Sequence, residues 1–545
     1  MTAPTCGERL VEFLEAYGID TVFGIPGNHT IQLYRGLARS SIRHISPRHE
    51  QGAAFMADGY ARATGRPAAC FLISGPGLGN ALTPMMQALA DSVPMLVITA
   101  VAERRHLGLG EGRLHELPDQ RALAAQCARF SQTLMHPDEL PKVLARAFAV
   151  FSSQRPGPVH IEVPLDVITA EDRSPGVRPW PLVPPPVADR AALLELAERL
   201  RSARRPCLLA GGGAVSGAHE LRALAEMRGI PVVTTVNGKG ILPSGHELLV
   251  GGSPSLASVR EFLSGSDLIF AVGTEFGETD YDMLFLGDLP ELPWLARLDV
   301  DAAQLCRNQR PDLALCGASV GSLRELLDVL DEAPAAHREH AAERVRKVRR
   351  AIDGEEFVNE DMTKLFASLH AALPNLCLVG DSTLPTYYAV WQYEAPSPRR
   401  YFHSATGAGT LGYAIPAGIG ARRGLPSDVP VVALIGDGAA QFTFMELAAA
   451  VQERLPLIVL IWNNSGYREI HAGMLAAEVT PIGVDVEAPD FIAAARALGC
   501  RAQRVECLGT LEQALADAAQ GSVPSVFELP EGAFCSGPVG TWYGA

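Results

Sequence analysis

No stretch of the chain is basic enough to mark a nucleic-acid surface: 46 Lys and Arg face 61 Asp and Glu, a formal net charge of -15. A chain of that sign repels polyanions, so an anionic ligand has to be held locally, by a metal or by main-chain amides. There is no apolar run near the ~20 residues that a membrane helix needs, and the opening MTAPTCGERL lacks the apolar stretch of a secretory signal. The expectation is a cytoplasmic protein with neither a membrane nor a nucleic-acid partner. The ten cysteines show no CxxC or other ligand spacing, which points to reduced thiols in cores and to none that is catalytic. With 545 residues, the chain is too long for one core, and ~150 residues per domain suggests three or four domains.

What is present is a repeated alternation of apolar strand and helix. In residues 1-170 a helix pattern (Leu10, Val11, Phe13, Leu14) precedes a short strand, Thr21 to Phe23, and the turn Gly24, Ile25, Pro26, Gly27. Strands follow at Ala69 to Ile73, Met95 to Thr99 and Val159 to Val163. The Pro-rich RPWPLVPPPV, Arg178 to Val187, reads as an extended linker. The alternation resumes over 188-330 and again over 355-530, separated by Asp331 to Arg350, a charged stretch that reads as a solvated connecting helix. The predicted fold class is α/β, with three doubly wound parallel-sheet domains. The first and third blocks could be distant structural relatives.

Chemistry concentrates at strand ends. The run Val431 to Ile435 leads into Gly436, Asp437, Gly438, Ala439, and a second run, Ile458 to Ile461, leads into Asn463 and Asn464. In open α/β sheets the carboxyl ends of neighbouring strands are where ligands bind. Flanking glycines let a hard cation approach Asp437, and one carboxylate, one amide oxygen and one main-chain carbonyl suit Mg²⁺, whose other ligands are water and substrate phosphates. A second motif, RHEQGAAFMADGYAR from Arg48 to Arg62, places Glu50 at a helix start, where burial would let it share a proton with a heterocyclic nitrogen. Two glycine-rich turns, Ser74 to Asn80 and Gly407 to Pro416, allow backbone to approach a ligand closely.

GDG followed at a distance by NN, together with RHEQGAAFMADGYAR, resembles the thiamine diphosphate-dependent 2-oxo acid decarboxylases and acetolactate synthases, over nearly the whole chain. The resemblance implies pyrimidine-binding, central and diphosphate-binding domains in that order. It implies that thiamine diphosphate and Mg²⁺ are the cofactors, with Asp437, Asn464 and the main-chain oxygen of Gly466 on the metal. Gly436, Gly438, Ala439 and Tyr467 then flank the diphosphate, Pro26 and Glu50 meet the aminopyrimidine, and Gly409 and Leu411 support the bent cofactor. In that family the glutamate and the diphosphate site meet across two subunits, which implies a homodimer with interfacial sites, assembled as a homotetramer.

His115, in the loop RLHELPDQ, matches a loop that brings a histidine to the cofactor in related decarboxylases, and an imidazole can relay a proton near neutrality. Asn28 and His29 are further candidates for the same pocket. Glu469, just after the metal motif, and Asp280 and Asp282, in a central-domain loop, stand where relatives line the substrate end. Converging carboxylates call for a cation, and a guanidinium can take them by charge-assisted hydrogen bonds. The alternative is that these acids face solvent or pair with Arg468 and Arg113. The chain also resembles 5-guanidino-2-oxopentanoate decarboxylases of arginine catabolism, so the implied substrate is that oxo acid and the product 4-guanidinobutanal. An acetolactate synthase-like carboligase or a non-catalytic scaffold on the same fold are the other readings. Gly211 to Gly213 is too weak a signal for a flavin, and none is expected.

Overall fold

The computed structural model describes residues 3-174, 176-283, 287-289, 291-355 and 358-535. Three all-parallel sheets organise them. The first contains β1 (Thr21–Gly24), β2 (Arg43–Ile45), β3 (Ala68–Leu72), β4 (Met95–Val101), β5 (Phe130–Thr133) and β6 (Pro158–Pro164), in the order β2-β1-β3-β4-β6-β5. The second contains β7 (Pro206–Ala210), β8 (Val232–Thr234), β9 (Leu268–Val272), β10 (Trp294–Asp299) and β11 (Leu313–Cys316), in the order β11-β10-β9-β7-β8. The third contains β12 (Cys377–Gly380), β13 (Tyr401–His403), β14 (Val431–Gly436), β15 (Leu457–Asn463), β16 (Arg501–Arg504) and β17 (Ser525–Pro530), ordered β13-β12-β14-β15-β17-β16.

The central strands β3, β4, β9, β14 and β15 are apolar along their length because helices cover both faces of each sheet. The first and third sheets share one strand order, counted from the start of each, which makes them two copies of a single topology. In both, the chain reverses its direction of winding between the first and third strands of the sheet. A crevice opens there beyond the strand ends. Gly24 and Ser74 flank the crevice in the first domain, and Asp381 and Asp437 in the third.

The two domains are locked through helices Glu50–Thr64 and Ala414–Gly424, which share one apolar core with Phe55, Tyr60, Tyr413 and Ile415. Their backbones touch at glycines: a Cβ on Gly59 would overlap the Ala417 carbonyl oxygen, and one on Gly420 the Met56 oxygen. Gly59→Ala is expected to destabilise the protein by at least about 2 kcal/mol, because the clash is with backbone that cannot rotate away. Urea melts would measure it, and a midpoint unchanged from wild type would show that the helices separate freely.

Gly211 to Gly213 stand where the alternation passes from β7 through a 3₁₀ turn, Gly212–Gly217, into the helix Ala218–Arg228, and Gly211 and Gly213 pack directly on the backbone of Gly273. The charged stretch after Asp331 also departs from its reading. Its helix, Ala335–Ile352, buries Ala341, Ala342, Val345, Val348 and Ile352 along one face and keeps only the other for solvent.

Candidate functional site: a diphosphate and metal cradle with an acid on the facing domain

Strand β14 ends at Gly436, and a helix begins at Asp437. Asp437 is 1% exposed, and its Oδ2 accepts the Gly466 N–H at 3.0 Å. Burial pushes its carboxyl pKa up, against the pull of main-chain amides including those of Asn464 and Gly466. A nearby cation would stabilise the charged form of a carboxyl group in that position. Just after β15, Asn464 donates its Nδ2 to Glu531 at 3.2 Å, so its amide oxygen is the atom that could meet a cation. Glu531 is itself fixed by Trp462 Nε1 at 2.8 Å.

Two glycines keep this cradle open. Gly466 has φ +135°, which L side chains avoid, and a Cβ there would overlap Val484 O. A Cβ on Gly438 would meet the Tyr467 ring at 2.5 Å, so the ring lies against the start of the Asp437 helix. Ala439 is buried in the same turn. Thus Gly436, Asp437, Gly438, Ala439, Asn464, Gly466 and Tyr467 come together at one sheet edge.

The turn carrying Gly409 and Leu411 is held from below and from the first domain. Asp381 lies fully buried after β12; its carboxylate accepts from Ser382 N at 2.9 Å, Gly412 N at 3.2 Å and Ala414 N at 2.9 Å, and burial pushes its pKa up to about 6. Gln87 accepts from Thr410 Oγ1 at 3.0 Å and donates to Thr406 O at 3.1 Å. Asp91 accepts from Thr406 Oγ1 at 3.3 Å and pairs with the buried Arg62 at 2.6 Å. Gly409 has φ +64° and open space where a Cβ would be, and Leu411 is half-buried beside it.

In the first domain, Glu50 is the first residue of its helix, half-buried, with Asn80 Nδ2 donating to it at 2.9 Å. Among the described residues, no hydrogen bond joins Glu50 to the Asp437 cradle of its own chain. The two candidate histidines do meet: the rings of His29 and His115 stand edge to face with centroids 5.3 Å apart. Ser74 Oγ binds His29 Nδ1 at 2.7 Å, and burial with His115 nearby pushes the His29 pKa down. His115 has φ +62°, and its carbonyl abuts Gly75, whose N–H is donated to the buried Gln120 at 2.8 Å. Pro26 and Asn28 lie exposed at the rim of this crevice.

Within the single chain, Asp280, Asp282 and Glu469 each have their own surroundings. Asp280 is half-buried, accepts from Val236 N at 3.3 Å and has its pKa pushed up to about 7 by burial. It faces a cavity of about 560 Å³ where the three domains meet, lined also by Arg62, Asp91, Thr235, Gly273 and Glu275. Asp282 lies beside Arg260. Glu469, half-buried on the helix Arg468–Ala476, stands by Tyr388 in the third domain, whose phenol is pushed up to about 12 by burial and by nearby acids including Glu469.

Three family models match the chain in succession. They are the thiamine pyrophosphate enzyme N-terminal binding domain over residues 4-123, the central domain over 193-326 and the C-terminal binding domain over 379-529. The chain belongs to the thiamine pyrophosphate enzymes. Among curated proteins it is 44% identical over 523 residues to a Pseudomonas aeruginosa protein named as a probable 2-ketoarginine decarboxylase, covering 94% of this chain and 91% of that one. It is 29% identical to a probable acetolactate synthase large subunit of Methanocaldococcus jannaschii, covering 96% and 91%. It is 32% identical to the chloroplastic acetolactate synthase 2 of Nicotiana tabacum, covering 86% and 71%.

This thiamine pyrophosphate enzyme has residues that fit the cofactor. The cradle offers a buried carboxyl whose charged form a cation would stabilise and glycines that admit a diphosphate, and the turn at Gly409 has space above it. Among the described residues no three His, Cys, Asp or Glu form a metal cluster; a divalent ion held at Asp437 would take a mixed oxygen set completed by the diphosphate. Also among the described residues, no helix is long and apolar enough to cross a membrane. Gln87, Asp91, Asp381 and Glu446 support the site without having stood out in the sequence. Only the position of Asp381 at a strand end could have flagged one of them.

Proposed function

We propose that the enzyme decarboxylates 5-guanidino-2-oxopentanoate without oxidation, releasing CO₂ and 4-guanidinobutanal as a proton takes the place of the carboxylate. Thiamine diphosphate, when bound, supplies the thiazolium that accepts the electron pair left by CO₂. Asp437, Asn464 and the Gly466 carbonyl hold Mg²⁺ and, through it, the diphosphate. Glu50 exchanges a proton with the aminopyrimidine, and His29 and His115 hold protons at the substrate end. The sites lie between two copies of the chain, in a homodimer that pairs into a cytoplasmic homotetramer; the half-buried position of Glu50 in the single chain is consistent with a surface that a second copy completes.

The substrate assignment rests on the activity in the name of the Pseudomonas relative, 44% identical to this chain. Arg468, next to Glu469, donates to Asn464 O at 2.8 Å and Ser465 O at 2.6 Å and pairs with Asp485 at 2.8 Å, and Glu469 is the acid assigned to the guanidinium of the substrate.

The test is a panel of guanidino, aromatic, branched and short 2-oxo acids with products identified by mass. Glu469→Ala is expected to raise KM for the guanidino acid about 10-100-fold, the worth of a charge-assisted hydrogen bond, with little change for pyruvate. An equal change for both substrates would remove the assignment. A product joining two oxo acids would instead favour an acetolactate synthase-like carboligase, which the weaker resemblance to those synthases allows.

A further inference from the structure

Glu446 belongs to the third domain and yet contacts the first, at the two residues that precede Glu50. Its Oε1 accepts the His49 N–H at 2.9 Å, and Oε1 and Oε2 share the Arg48 N–H at 3.1 and 3.0 Å. It is 2% exposed, and Gly52 makes room for it, since a Cβ on Gly52 would overlap the Glu446 carboxylate. Arg48 adds a second grip: its guanidinium donates to Ser46 O at 2.8 Å, Ala448 O at 3.3 Å and Gln452 Oε1 at 2.8 Å, away from the carboxylate.

An apolar residue at 446 would leave two main-chain donors without their carboxylate acceptor, at the point where the Glu50 helix starts. Burial pushes the Glu446 pKa up to about 7, so the site keeps a carboxyl there at a desolvation cost. That cost has no role in anchoring the domains, which the glycine-packed helices already achieve. Glu446 also follows Asp437 along the same helical segment, Asp437–Thr443 continuing into Phe444–Glu446.

We propose that Glu446 is a positioning residue for Glu50: its carboxylate fixes the main chain at Arg48 and His49 and thereby sets where the Glu50 carboxylate stands, from the same helical segment that presents Asp437 to the metal. The inference rests on the reading of Glu50 as the acid that serves the cofactor.

Glu446→Gln keeps an acceptor oxygen, Glu446→Asp withdraws it by one methylene, and Glu446→Ala removes it. Amide hydrogen exchange in the segment Arg48–Glu50 of the cofactor-free protein is expected to accelerate about ten-fold or more in the Ala variant, to change less in Asp and to stay near wild type in Gln. In the holoenzyme kcat is expected to fall in the same order, with KM for the oxo acid little altered. Unchanged exchange in a folded Ala variant would overturn the proposal, as would a Gln variant as slow as Ala. If Ala fails to fold, the Asp and Gln comparison still decides. Accelerated exchange with turnover that is also indifferent to Glu50→Gln would leave the clamp standing and remove the role of Glu50 instead.

Discussion

Glu50→Gln is expected to bind thiamine diphosphate and Mg²⁺ with nearly wild-type affinity and to turn over about 10²-10⁴-fold more slowly, the range that separates a positioned general acid–base group from its absence. The structure makes this substitution a clean probe. Asn80 donates to Glu50 at 2.9 Å, and a glutamine oxygen accepts that hydrogen bond equally well, so the side chain keeps its place and loses only the proton. The main chain beneath it, tied to Glu446, is untouched. Cofactor affinity by fluorescence quenching and turnover by CO₂ release would separate the two effects. Turnover equal to wild type would take Glu50 out of the chemistry, and lost binding would recast it as a cofactor ligand.

The strands legible in the sequence are those at the centres of the sheets, where both faces are covered and the apolar run is continuous, as in β14 and β15. Strands β2, β5, β11, β13 and β16 are not legible in the sequence, and all five are sheet edges. Phe130–Thr133, Leu313–Cys316 and Arg501–Arg504 are only partly buried, so their composition is mixed, and Tyr401–His403 is only three residues long. The helix Ala335–Ile352 is legible as a helix, but its buried face is not: Ala341, Val345, Val348 and Ile352 form a helical stripe inside a charged run.

Of the candidate site, the parts local in sequence were legible. The cradle around Asp437 needs only two adjacent strand ends, and the sequence order of β14 and β15 supplies them. The meeting of His29 with His115 and the grip of Glu446 on Arg48 are not local. The latter pair is 398 residues apart, and the groups it joins are a side chain and main-chain amides, which leave no residue pattern. The surroundings of Asp280 depend on how the central domain docks against Arg62 and Asp91, which strand and helix periodicity does not encode.

Asp437→Ala should abolish the dependence of thiamine diphosphate binding on Mg²⁺, with an affinity loss on the order of 100-fold or more, since the variant lacks the only carboxylate in the proposed ligand set and a divalent ion bound by neutral oxygens is held weakly. The substitution also removes the acceptor for the Gly466 N–H, 3.0 Å away, so a local collapse of the Asn464–Tyr467 turn has to be told apart from loss of the metal. Asp437→Asn does that, because its amide oxygen can still accept from Gly466 while its charge is gone. Both variants should therefore lose the metal dependence, and only the alanine should speed proteolysis or amide exchange in the turn. Titration of thiamine diphosphate with Mg²⁺ and with a chelator provides the measurement. If wild-type affinity proved the same under both conditions, the buried carboxylate would be a structural cap on the turn, and the diphosphate would be held by main-chain amides at the start of the Asp437 helix instead.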